Sequence, residues 1–149
     1  MKLAEALQER ADLNRKIEQL KQRIITNAVV QEGEFPAEDP NALLKELNRS
    51  IARLEELIAS INLTNCRTVV DGRTLTEMIA EKDCLTVKIN AYRNLVSEAS
   101  RLAQRAYRTE IKVLSTVNVK DIQAEIDRMS KELRLLDNTI QQTNWNTEL

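Results

Sequence analysis

The sequence predicts a mainly α fold, an antiparallel bundle of about four long helices with a short two-stranded β element. Apolar residues recur at alternating steps of three and four, the spacing of helices that pack along their length. Residues that break helices are scarce, since the 149 residues include only two glycines and two prolines. Aromatic residues make up only 3% of the chain. The core must therefore be built from aliphatic side chains, which suits interdigitating helices.

The first two helices are predicted at residues 2–28 and 40–63. The apolar row of the first consists of Leu3, Ala6 or Leu7, Leu13, Ile17, Leu20 and Ile24. The row of the second is unbroken and consists of Leu44, Leu47, Ile51, Leu54, Ile58 and Ile61. Asp39 followed by Pro40 is typical of a helix start, because the carboxylate caps free N–H groups and proline suits the first turn. Arg10 and Asn27 interrupt the first row, either as a snorkelling arginine and a frayed end or as a polar device that sets register.

The last two helices are predicted at residues 75–107 and 119–142, which completes a single domain covering residues 1–149. The row of the third helix contains Met78, Leu85, Ile89, Tyr92, Val96, Ala99, Ala103 and Ala106, with Lys82 intruding. The row of the fourth contains Ile122, Ile126, Met129, Leu133, Leu136 and Ile140. Thr74 and Glu77 have the spacing of a capping box, so we expect the third helix to begin at Leu75. Asn118 is placed to cap the fourth helix.

Two segments change from helical periodicity to the alternation of β-strands, at residues 67–70 and 111–116. Asp71 and Gly72 directly after the first segment are typical of a tight turn. Because an isolated strand is unstable, we expect residues 68–70 to pair with residues 112–114. The pair would form a small ribbon at one end of the bundle.

Composition argues against most catalytic sites. The chain contains no histidine, which removes Ser-His-Asp and Cys-His arrangements, histidine zinc sites and the Glu-x-x-His pairs of di-iron bundles. Two cysteines cannot form a four-thiolate site, and the two glycines stand apart, so there is no phosphate-binding loop. We therefore expect no enzyme, no cofactor and no metal. A net charge of −1 gives no global attraction to nucleic acid or to anionic membranes.

Two charged segments are candidate interaction surfaces. The connection between the first two helices carries an acidic set without basic residues, namely Glu32, Glu34, Glu38 and Asp39. Its spacing does not match a calcium loop, so we interpret it as a solvated or subunit-docking loop. A stripe of arginines lies on one face of the third predicted helix, namely Arg101, Arg105 and Arg108. The stripe could hold phosphate or the acidic loop of another subunit, or could simply complement the negative helix C-terminus.

The chain is expected to be cytoplasmic. Its first residues mix charges with apolar side chains and lack the apolar run of a signal peptide. No stretch approaches the roughly 20 apolar residues of a membrane span. Cys66 and Cys84 are therefore expected to be reduced thiols.

Polar interruptions in two of the rows indicate that one chain does not bury all its apolar surface. We therefore expect a homo-oligomer, with Arg10 or Lys82 near a subunit boundary. The lone Trp145 in a polar tail would bury a large apolar area only if the tail folds back on the bundle. We expect Trp145 to anchor an ordered tail.

Several segments resemble, in the same order, a family of small uncharacterised bacterial helical proteins, some of which are named septicolysin. They are MKLAEAL at residues 1–7, QEG at 31–33, PAEDP at 36–40, INLTN at 61–65 and NWNTEL at 144–149. The resemblance extends over the whole chain, and the septicolysin name implies a membrane-active, pore-forming protein. The residues themselves favour a non-catalytic interaction protein that assembles with itself and with an unknown protein partner. A weak binder of phosphate or nucleic acid through the arginine stripe is a further alternative.

Overall fold

The computed structural model describes residues 1–101 and 111–149. Within these ranges the helices are α1 (Leu3–Thr26), α2 (Pro40–Arg67), α3 (Leu75–Ala99) and α4 (Val119–Asn146). The strands are β1 (Val69–Val70) and β2 (Arg73–Thr74). The protein is thus a mainly α bundle with a small antiparallel β element, which confirms the predicted fold class.

The described residues form two compact units. The first contains residues 1–74 together with 143–149, and the second contains residues 75–142. In the first unit α1 and α2 pack against each other as an antiparallel pair. Both helices contribute buried residues, namely Leu3, Ala4, Ala6 and Leu20 of α1 and Leu43, Ser50, Leu57 and Ile61 of α2.

The second unit contains α3 and most of α4. Its core is formed by Ile89, Ile126 and Met129. Partly buried apolar side chains surround this core, namely Leu85, Tyr92, Val96, Ile122 and Leu133. All of these residues belong to the rows predicted for the third and fourth helices, so both rows face the core as expected.

The lysine that interrupts the α3 row has a partner inside its own unit. The Lys82 ammonium forms an ion pair with the carboxylate of Asp137 on α4, and both side chains are about one-third exposed. A lysine on an apolar face can cover that face with its stem while its ammonium stays in contact with water and a carboxylate. Lys82 therefore has a partner on α4 of its own chain, and its expected place near a subunit boundary stays a prediction.

The apolar row predicted for α2 is buried only in part, since Ile61 is buried and Leu47 and Leu54 are half-buried. Leu43, Ser50 and Leu57 are buried, whereas Ile51 and Ile58 are exposed by 45% and 41%. Only at the positions of Leu44, Ile51 and Ile58 does the buried residue lie one position earlier, so the buried face is turned part of the way around the helix. Ser50 interrupts the row of Leu43 and Leu57 in the sequence and makes it the less conspicuous of the two.

Local signals place the helix starts correctly. The Asp39 carboxylate accepts a hydrogen bond of 2.9 Å from the N–H of Asn41, and Pro40 opens α2. The Asn118 side chain accepts one of 3.2 Å from the N–H of Asp121 at the start of α4. Helix α3 begins at Leu75 as predicted. Helix ends are less accurate, since α2 extends to Arg67 and α4 to Asn146, four residues beyond each predicted end.

The predicted long-range ribbon is wrong. Strand β1 pairs with β2, the next strand along the chain, with Val69 opposite Thr74 and Val70 opposite Arg73. Asp71 and Gly72 both have positive φ, 50° and 80°, as a two-residue type I′ turn requires. That turn closes a local hairpin at once, so β1 already has a partner. Residues 111–116 form no strand.

Candidate interaction surface

Three ion pairs join α1 to α2 and to the loop before it. They are Glu9–Arg53, Lys16–Glu46 and Arg23–Glu38. Their α1 members are seven residues apart, and their partners run in the opposite direction along the chain. The first pair is bidentate, with hydrogen bonds of 2.7 and 3.0 Å. These pairs fix the register of the antiparallel α1–α2 pair, and pattern reading on the apolar residues alone missed them.

The pairs shift the pKa values of their members. The guanidinium hydrogen bonds of Arg53 hold the pKa of the Glu9 carboxyl below its usual value. Hydrogen bonds from Arg23 and Lys16 lower the pKa values of Glu38 and Glu46 in the same way. All three carboxylates are therefore stabilised in their ionised form by the folded structure.

Acid should weaken the folded state through these carboxylates. Because the folded pKa values of Glu9, Glu38 and Glu46 lie below the ordinary value of 4.5, their stabilisation is present above that pH and disappears as pH falls through the folded values. A variant with glutamine at all three positions should melt at a lower temperature than the parent near neutral pH. The two melting curves should converge in strong acid, where the parent carboxyls are protonated too. A gap of equal size in strong acid would contradict this assignment.

Part of α2 presents an apolar surface to solvent. Leu44, Ile51 and Ile58 are exposed by 42%, 45% and 41%, and they are separated by seven residues each. Leu47 and Leu54 lie beside them and are half-buried. Scattered apolar residues are normal on a protein surface, but a contiguous row marks an interaction site. We call these five residues the α2 row.

The acidic loop is only partly available to a partner. The Glu38 carboxylate accepts a hydrogen bond of 3.0 Å from Arg23, and Asp39 caps α2. Glu32 and Glu34 are exposed, together with Phe35, which is 92% exposed. Two of the four predicted acidic residues thus stabilise the chain itself.

The arginine stripe is described at one position only. Arg101 is exposed, and its guanidinium lies 3.7 Å from the Glu98 carboxylate one turn earlier. Arg105 and Arg108 lie outside the described residues, as does the predicted end of the third helix at residue 107. Helix α3 itself ends at Ala99.

The C-terminal tail is ordered and joined to the start of the chain. The N–H of Leu3 donates to the carbonyl of Thr147, and the N–H of Leu149 donates to that of Met1, each at 2.9 Å. The Glu148 carboxylate contacts the Lys2 ammonium at 2.7 Å, which lowers its pKa. The predicted anchor is wrong, however, because Trp145 is 52% exposed. Backbone pairing and an ion pair hold the tail instead.

Truncation of Trp145 should therefore have a modest effect. A fully buried aromatic residue costs about 3–5 kcal/mol when cut to alanine, but a half-exposed ring should cost less than about 2 kcal/mol. The indole emission should lie close to that of a solvated tryptophan while the tail stays docked. Chemical denaturation of Trp145→Ala measures the loss in the free energy of unfolding. The emission spectrum of the parent protein measures how far the indole ring is exposed to water. A loss equal to that of a core residue would show that the ring is buried in solution.

Residues 1–101 and 111–149 contain neither a cluster of metal ligands nor a membrane-spanning helix. No three or more Cys, Asp or Glu side chains in these ranges lie close enough to hold a metal ion. None of the described helices combines the length and the apolar character that crossing a membrane requires. Cys66 and Cys84 are both exposed thiols.

The sequence is similar to proteins of one known family. A family model described as a family of unknown function, DUF6847, matches residues 10–149. The chain belongs to this family. A DUF6847 assignment agrees with the predicted resemblance to uncharacterised proteins, and its description contains no reference to septicolysin.

A solved structure resembles this DUF6847 member over its full length. It is described as the crystal structure of a functionally unknown conserved protein from Corynebacterium diphtheriae. The two share 39% sequence identity and superpose with a TM-score of 0.94, which covers 100% of this chain and 98% of the other. No curated protein matches the chain.

Proposed function

We propose that this protein is a non-catalytic, cytoplasmic interaction protein that assembles with itself and presents a helical surface to a protein partner. The observation that carries the proposal is the α2 row, where three aliphatic side chains spaced by seven residues remain more than 40% exposed. Such spacing is that of helices which pair along their length. A second helix laid on this row would remove those side chains from water.

Oligomeric state tests the proposal directly. Size-exclusion chromatography with light scattering should give a mass above the 17.1 kDa of one chain, and the mass should rise with concentration. The mass of a single chain over the whole micromolar range would contradict self-assembly. Affinity capture with the native host's lysate then addresses the protein partner.

The alternative function, which the septicolysin name implies, is that of a membrane-active, pore-forming protein. A vesicle-leakage assay separates the two, because an interaction protein should release no dye from anionic or neutral vesicles. Dose-dependent leakage would favour the pore-forming alternative.

The arginine stripe remains a weak candidate for phosphate or nucleic-acid binding. Its only described member, Arg101, already lies near Glu98. Titration with a labelled oligonucleotide at low salt tests it, since electrostatic binding would weaken steeply as salt rises.

A further inference from the structure

The α2 row separates two different flanks of its helix. Leu43, Ser50 and Leu57 lie one position before each exposed row residue, and α2 buries all three in the first unit together with Ile61. Lys45, Ala52 and Ala59 lie one position after, on the opposite flank, and are exposed. The row is therefore bordered by the chain's own core on one side and by open surface on the other.

On the open flank, a positive charge lies near the beginning of α2 and a negative charge lies further along the helix. Lys45 lies at its beginning and Glu55 lies ten residues later, about 15 Å along the axis. Neither side chain forms an ion pair with any other residue in the described part of the chain. Both are thus available to a neighbour laid on the row.

The pattern is self-complementary when α2 is reversed. Leu44 and Ile58 are each seven residues from Ile51, so a two-fold axis at Ile51 places Leu44 of one copy beside Ile58 of the other. The same operation brings Lys45 within reach of Glu55 of the second copy, twice. A parallel two-fold pairing would instead turn the Lys45 flank of one copy toward the Leu43 flank of the other, so that Lys45 and Glu55 would gain no opposite charge. A two-fold interface requires this kind of self-complementarity.

We propose that α2 pairs antiparallel with α2 of a second copy of this chain, about a two-fold axis at Ile51. This assignment rests on the proposed self-assembly and adds its surface, direction and register. Ala52 lies next to the axis, and its small side chain permits close approach of the two helices. The row supplies only five apolar residues per copy, fewer than the 20–30 residues per side of a standard interface. The dimer is therefore expected to dissociate reversibly on dilution.

A charge at the axis tests the surface. Ile51→Glu would place two carboxylates against each other in the dimer and should weaken association at least about tenfold. The matched control is Val87→Glu on α3, since Val87 is also an exposed aliphatic residue, at 69%, and lies outside α2. Sedimentation equilibrium measures the dissociation constant of each variant, and circular dichroism checks that both remain helical.

Charge exchange tests the direction and register. Lys45→Glu and Glu55→Lys should each weaken the dimer about threefold to tenfold, because each turns two attractive pairs into repulsive ones. The double variant restores opposite charges in the antiparallel register and should regain most of the parent affinity. Both substitutions lie on exposed positions, so folding should be unaffected.

Each outcome has a distinct meaning. Weakening by Ile51→Glu, no change with Val87→Glu and rescue in the double variant together support the proposed dimer. An oligomer that persists unchanged in Ile51→Glu overturns this surface while leaving the proposed self-assembly intact. Weakening without rescue overturns the antiparallel register. A parent protein that is monomeric at every concentration overturns both the dimer and the proposed self-assembly.

Discussion

Leu57→Ala should destabilise the protein by about 2–5 kcal/mol, whereas Ile58→Ala should cost far less. Leu57 is 1% exposed, while its neighbour Ile58 is 41% exposed. Truncating a buried leucine loses its transfer free energy and leaves a cavity, since the surroundings relax only in part. Truncating the solvent-exposed side chain of Ile58 creates no enclosed cavity, and alanine has a higher helix propensity than isoleucine.

Chemical denaturation of the two variants measures the difference in the free energy of unfolding. The comparison should be made in dilute solution, where a paired α2 row would contribute least to the stability of Ile58. Equal losses, or a larger loss for Ile58→Ala, would show that α2 buries Ile58 as well as Leu57. The adjacent positions and similar side-chain volumes make each variant the control for the other.

The orientation of α2 shows what the sequence determines and what it leaves open. Two rows one residue apart both recur with a period of seven, and the exposed row is the more continuous because Ser50 interrupts the buried one. Apolar periodicity predicts a helix in either case. Which row meets α1 depends on charged residues far apart in sequence, such as Arg53 and Glu9, and their pairing is a tertiary property.

Local chemistry was predicted well because it depends on neighbours in the sequence. The caps at Asp39 and Asn118 and the turn at Asp71 and Gly72 all lie where the residue types indicate. The partner of β1 was predicted incorrectly because the alternating pattern of residues 111–116 competed with a two-residue strand too short to recognise. Local hairpin closure costs less chain entropy than a long-range pairing, so the nearer partner is favoured.

For the candidate surfaces, too, local features could be predicted from the sequence and long-range contacts could not. Charge patterning identified the acidic loop, but the sequence could not show that Glu38 pairs with Arg23 and that Asp39 caps α2. Trp145 drew attention because it is the only tryptophan, yet the tail is held by Glu148 and by backbone hydrogen bonds. In each case the residue type indicated that a residue could be functionally or structurally important. Its actual contacts depended on residues far away in the sequence, which the sequence pattern does not show.

Asn27→Ala should destabilise the first unit by about 1–3 kcal/mol. Asn27 is only 8% exposed at the end of α1, where periodicity suggested a frayed end or a register device. Its side-chain nitrogen donates to the carbonyl of Arg23 at 2.9 Å, and its side-chain oxygen accepts from the N–H of Glu38 at 3.0 Å. The residue thus satisfies a helix-end carbonyl and ties the helix to the loop before α2. Alanine would leave a part-buried N–H without an acceptor, which costs more than the hydrogen bond itself is worth.

Thr26→Ala is the matched control, because Thr26 also donates to a carbonyl one turn earlier, that of Gln22 at 2.9 Å, but is exposed. Water can replace the lost hydroxyl there, and alanine suits the helix better than threonine does, so the free energy of unfolding should hardly change. Amide hydrogen exchange at Glu38 gives a readout that a general loss of stability would not reproduce. Exchange at Glu38 should accelerate more in Asn27→Ala than exchange in the middle of α1 does. Uniform acceleration along α1, or equal losses in the two variants, would show that Asn27 acts only as an end residue of the helix. A selective effect would show that one buried amide joins the α1 end to the loop through which Glu38 reaches Arg23.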